Sequence, residues 1–213
     1  AQPEGRARVD VRAPDGIEAA YRSLTPNRMP QGRWPADHPL AFSQQLAVNE
    51  VWWRLANGAG IFAVNGPPGT GKTTLLRDIV AAVVVDRAAT LAGLKKGRSA
   101  FKAKAYKKLG AARVPYYEIM EAISGSAIVI ASANNGAVEN VSLELPGMDA
   151  VPGRVRGRID YFADLATRLV GKPAWGLLAA RLGNKKNRGE FVETFWWEVP
   201  ARRLDADGQD GAS

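Results

Sequence analysis

Residues 61–80 read IFAVNGPPGTGKTTLLRDIV, and the fold expected of the chain turns on them. A short apolar run, IFAVN at 61–65, meets a glycine-rich turn and then a long apolar-periodic stretch. A run of that length with β-branched and aromatic members predicts a buried parallel strand. The turn, Gly66 to Thr73, satisfies GxxxxGK[ST] between a predicted strand and a predicted helix, the context in which this pattern cradles phosphates. Gly66, Gly69 and Gly71 let the backbone wrap closely, and the helix N-terminus adds unpaired N–H groups. Lys72 supplies a point charge for the β- and γ-phosphates and Thr73 a hydroxyl for Mg²⁺. Pro67 and Pro68 stiffen the entrance. The expected ligands are ATP and Mg²⁺, with Gly66, Pro67, Pro68, Gly69, Thr70, Gly71, Lys72, Thr73 and Thr74 binding, Lys72 and Thr73 catalytic, and Thr73 on the metal.

From Lys72 the helix is expected to continue through TTLLRDIVAAVVVDRAATLA until Gly93 breaks it. Upstream, PLAFSQQLAVNEVWWRLANG predicts another helix, with Ser43 as N-cap and Ala47, Val51 and Leu55 repeating at i+4. Downstream, AIVIA at 127–131 predicts a second strand, and NNGAVENVSLEL a loop entering a helix stopped by Pro146. Ile159 to Val170, Trp175 to Leu182 and Phe191 to Val199 read as further helices. Two strand–loop–helix units argue for an α/β fold with a parallel sheet and helices on both faces, the sheet incomplete in these residues. The domain organisation expected is a lead-in or end of a preceding domain over 1–40, a first ATPase lobe over 41–200 with a basic insertion near 93–115, and a flexible tail over 201–213.

Composition narrows the classes. Lys+Arg 29 against Asp+Glu 21 gives a formal +8, compatible with a polyanionic partner. Zero cysteines exclude thiolate chemistry and disulfides, and a lone histidine, His38, excludes histidine-rich metal centres. No apolar run is long enough to span a bilayer, so a cytoplasmic protein with no membrane partner is expected. Residues 95–113 hold eight basic side chains and no acidic one, and AFKAKAYKKLG within them reads as an amphipathic turn or two. Trp196 and Trp197 read as core packing.

On the phosphate loop, on SQQLAV and on IVIASANNGAVENVSLELP, the chain resembles superfamily 1 DNA/RNA helicases of the AAA-family P-loop type, specifically their first RecA-like lobe. The resemblance implies that Gln44, with Gln45 beside it as the alternative, reads the adenine edge. It implies that Ser132, Asn134 and Asn135 contact the backbone of single-stranded nucleic acid, DNA or RNA, and that a second RecA-like lobe is a partner. It further implies an ATP-dependent helicase or translocase, or a P-loop ATPase switch or nucleotide-binding remnant that does not unwind. No D-E pair follows an apolar strand; Asp160, Asp164, Glu193 and Glu198 are the downstream acids, and none stands as a Walker B carboxylate. These residues alone are therefore expected to turn over no ATP.

Overall fold

A computed structural model describes residues 10–56, 58–67, 69–133 and 135–197. The chain divides into two compact units, Ala1–Val129 and Ile130–Ser213.

The first unit is built on helices α1 (Pro14–Ser23), α2 (Phe42–Leu55) and α3 (Lys72–Ala92). α1 packs on α2, and α2 on α3. Pro14 opens α1 because its fixed φ and missing N–H cost nothing in a first turn. α3 starts after Gly71 in the left-handed conformation (φ 77°) and stops at Gly93, the bounds expected from its sequence. Leu75, Val80, Ala81 and Ala82 of α3 are buried, together with Val48 of α2, Ala20 of α1 and Trp34 from the connection between them. That connection is fixed to α3 at two points. The Trp34 N–H donates to Asp78 Oδ1 at 3.2 Å, and Gly32 approaches so closely that an added Cβ would stand 2.3 Å from the Ala81 carbonyl oxygen.

After α3 come β1 (Phe101–Leu109), β2 (Ala112–Ile119) and a single turn of helix, α4 (Glu121–Ser124), which packs back on α3. The strands form an antiparallel pair running from Phe101↔Ile119 to Leu109↔Ala112. Gly110 takes φ 60° at the first of the two central turn positions, as a II′ hairpin requires. The segment expected to form an amphipathic turn is therefore a strand.

The parallel sheet expected from 61–65 and 127–131 is not formed. Among the described residues the sheet is the two-stranded β1–β2 hairpin, and neither run belongs to it. Ile61 is 99% exposed and Val129 90% exposed, so neither run is a buried strand. The physical reason lies in what parallel strands need: neighbours on both edges and helices on both faces. Neither run has a ladder partner. The fold is mainly helical with a small antiparallel sheet, not a RecA-like sheet flanked by helices.

The second unit contains α5 (Asn135–Glu144), α6 (Gly153–Arg156), α7 (Ala163–Val170) and α8 (Lys185–Val192), the last running into a π-helical turn, Glu193–Trp197. Trp175 ties its centre together. The indole N–H donates to the Leu145 carbonyl at 2.9 Å, and its backbone N–H donates to Pro146 at 2.8 Å while its carbonyl accepts from Tyr161. Leu145, Val151, Leu165, Ala166 and Ala174 are buried around these bonds. Residues 175–182, expected to be helical, are irregular, because Gly147↔Ala174 and Tyr161↔Gly176 bridges hold the start of this stretch extended. Trp196 and Trp197 are 66% and 79% exposed rather than packed in a core.

Candidate functional site

The loop ahead of α3 brings together most of the residues singled out around the phosphate pattern. Its bend is set by Gly69 (φ 81°) and Gly71 (φ 77°), a conformation that costs other residues roughly 1–2 kcal/mol. Inside it, Lys72 turns back on its own loop. Its ammonium donates to the carbonyls of Gly66 and Pro67, each at 2.8 Å. The Thr70 hydroxyl donates to the same Pro67 carbonyl at 2.8 Å. The Leu75 N–H closes the first helical bond, onto Gly71, so the N–H groups just ahead of it have no helical carbonyl to meet. Lys72, Thr73 and Thr74 are exposed at the mouth.

Gln44, from the first turn of α2, reaches this loop. Its Oε1 accepts from the Ala41 N–H at 2.9 Å, half of a capping box. Its Nε2 donates to the Thr70 carbonyl at 3.0 Å. One amide thus caps α2 and holds the loop, and both of its ends are used within the chain. An added Cβ on Gly71 would stand 2.2 Å from Gln44 Nε2 and displace the tip of that side chain from the loop, while the φ of 77° is what favours glycine there. Gln45 is committed elsewhere, donating to Asn49 Oδ1 at 2.8 Å. Pro68 lies outside the described residues.

The remaining candidates are not gathered into a site of this unit. Ser132 is exposed, Asn135 opens α5, and Asn134 lies outside the described residues. Of the downstream acids, Asp160 Oδ1 accepts from the Ala163 N–H at the start of α7, Asp164 pairs with Arg168, Glu193 opens the π turn, and Glu198 is outside the described residues. Among the described residues no group of three or more His, Cys, Asp or Glu side chains is placed to hold a metal ion. Sequence reasoning missed a cavity of about 280 Å³ in the second unit, lined in part by Ser142, Arg168, Arg181, Asn187 and Glu190. Its lining comes from four separate stretches of chain, which no local motif announces.

No family model, curated protein or solved structure matches the chain. Together with the two-stranded antiparallel sheet, this overturns the resemblance to superfamily 1 helicases and the RecA-like lobe it implied. The readings that depended on that lobe fall with it. ATP and Mg²⁺ as ligands lose the strand–loop–helix setting that the phosphate pattern needs, and among the described residues find no cluster of three or more His, Cys, Asp or Glu to complete a metal site. Helicase, translocase and ATPase activity lose the motor fold. Single-stranded nucleic acid and a second RecA-like lobe lose the sheet edge across which both were expected to bind. None of the described helices is long and apolar enough to cross a membrane.

Proposed function

We propose that the chain is an oxyanion-binding module whose seat is the loop Gly66–Thr74, with Lys72 as its movable cation and Gln44 as the residue that holds the loop in shape. One observation carries this reading: the Lys72 ammonium folds back onto its own loop and bonds two backbone carbonyls, Gly66 and Pro67. A bound anion replaces those neutral acceptors with a charged one, and bonds between charged partners are roughly twice as strong as neutral ones. The N-terminus of α3, a helix of 21 residues, adds partial positive charge on the same side. The group recognised is a compact tetrahedral oxyanion of the phosphate or sulfate class. The reading involves no base, no triphosphate and no metal.

Calorimetric titration of inorganic phosphate and of sulfate tests it. Wild type is expected to bind, and Lys72→Ala to lose roughly tenfold or more in affinity, the worth of one charge-assisted bond. Gly71→Ala is expected to weaken binding as well, by straining a φ of 77° and pressing on Gln44. Equal affinities for wild type and Lys72→Ala would remove the assignment.

A further inference from the structure

We propose that the end of the β1–β2 hairpin docks on an anionic lipid surface, its apolar tip entering the headgroup layer and its cations resting on lipid phosphates and carboxylates. This does not depend on the anion seat of the loop before α3, and it departs from the expectation that the chain has no membrane partner.

The register of the hairpin assigns each side chain to a face, because directly opposed residues share one. One face carries Lys104, Tyr106 and Lys108 opposite Tyr117, Pro115 and Arg113. The other carries Ala105, Lys107 and Leu109 opposite Tyr116, Val114 and Ala112. Cations therefore stand on both faces close to the turn, and the tip between them is Leu109-Gly110-Ala111-Ala112. No acidic residue lies between Lys104 and Tyr117. The nearest one, Glu118, pairs with Lys102 at the far end of the hairpin, 3.8 Å away.

Three features of this arrangement call for an anionic partner that surrounds the tip. Lys108 sits directly across from Arg113, a like-charge pair that destabilises a sheet unless an anion lies against it. Arg113 and Lys104 are both held over the Tyr106 ring, at 4.6 and 5.5 Å from its centroid, which keeps their charge on the face instead of dispersing it. Leu109 at the tip is 57% exposed, and Tyr106 and Tyr116, three and four ladder positions behind it on opposite faces, are exposed as well. A rigid partner laid against one face satisfies half of these groups and leaves the rest in water. A nucleic-acid backbone answers the cations and offers nothing to Leu109. A bilayer surface answers all of them: acyl boundary for Leu109, interface for the tyrosines, and headgroups for cations on either side.

Flotation of the intact chain with lipid vesicles tests the proposal. Wild type is expected to float with phosphatidylserine-containing vesicles and not with pure phosphatidylcholine, and to be released by high salt, which screens headgroup attraction. Each cation near such a surface contributes roughly fivefold, so Lys107→Gln/Lys108→Gln/Arg113→Gln should bind on the order of a hundredfold more weakly. Leu109→Ser should lose roughly tenfold through its missing apolar insertion. Lys95→Gln/Lys96→Gln, outside the hairpin, should float as wild type does, and circular dichroism should show every variant folded. The proposal is overturned if wild type ignores the phosphatidylserine vesicles, if the triple variant or Leu109→Ser binds as wild type does, or if a poly-glutamate peptide or an oligonucleotide is bound more tightly than the vesicles.

Discussion

Asn49 has no exposed surface, and a buried amide costs stability unless its donors and acceptor are met. Here Nδ2 donates to the Ser23 carbonyl at 2.8 Å and Oδ1 accepts from Gln45 at 2.8 Å. Beside it, the Ser23 hydroxyl donates to Glu50 Oε1 at 2.5 Å. These bonds run from the end of α1 to the middle of α2 and fix how the helices meet, which apolar contact alone leaves free to slide. Asn49→Ala should therefore destabilise the first unit by about 1–3 kcal/mol, since it leaves the Ser23 carbonyl buried without a donor. Urea denaturation checks this, and an unchanged midpoint would show that the carbonyl finds water instead. From sequence, Asn49 lay among the residues flanking a correctly expected apolar stripe and gave no sign of being its most buried polar member. Gln44 stood out only through the overturned helicase resemblance, as a reader of adenine, and not for the bonds it makes to Ala41 and Thr70. Its capping of α2 follows from a glutamine three residues after the N-cap, a capping signal that an N-cap expected at Ser43, two residues past Ala41, conceals.

Among the elements, α3 was fully legible because its signals are local: a left-handed glycine before it, a glycine after it and apolar residues throughout. The hairpin carried local signals too, a Gly-Ala turn and alternating Lys-Ala-Lys-Ala, but its lysines also suited a helix surface and the period was misjudged. The strands expected at 61–65 and 127–131 failed for a different reason. A short apolar run states only that a segment can be buried, and whether it becomes a strand depends on distant partners the run does not encode. Residues 10–40 show the converse. Proline- and glycine-rich as they are, they supply α1 and also the contact that seats α3, and that contact turns on Gly32. Placing a methyl group 2.3 Å from the Ala81 carbonyl oxygen and 2.8 Å from Val85 Cβ forces backbone apart rather than a side-chain tip. Gly32→Ala is therefore expected to cost about 1–3 kcal/mol, the range of overpacking, even though alanine is otherwise favoured over glycine in a folded chain. Thermal denaturation decides it, and a stabilised variant would show the connection free to move off α3.

Over the whole molecule the formal net charge is +8, so the titration of its partly buried carboxylates bears on how stability varies with pH. Two in the first unit shift in opposite directions. Burial pushes Asp78 above the usual aspartate range, and the Trp34 N–H and nearby Arg33 only partly offset it. Burial also pushes Glu50 upward, but the Ser23 hydroxyl, Arg54 and Arg28 outweigh it and hold the carboxyl below the usual glutamate range. The signs then differ. Glu50 contributes stability that is present above its unfolded pKa and lost as pH falls through its lowered folded value. Asp78 binds its proton more tightly folded than unfolded, so its contribution declines as pH rises from below the unfolded pKa through the raised folded value, leaving a penalty at neutral pH. On acidification the wild-type chain thus loses the Glu50 contribution while being relieved of the Asp78 penalty, and the two partly cancel. Asp78→Asn keeps an oxygen for the Trp34 N–H and removes the ionisation. It should be more stable than wild type at neutral pH and lose stability more steeply toward acid, because the Glu50 loss is then uncompensated. Denaturation midpoints measured for both proteins from neutral to mildly acidic pH should converge as the pH falls. Parallel curves, or a variant weaker than wild type at neutral pH, would mean that the Asp78 carboxylate is better satisfied in the folded chain than its burial on α3 implies.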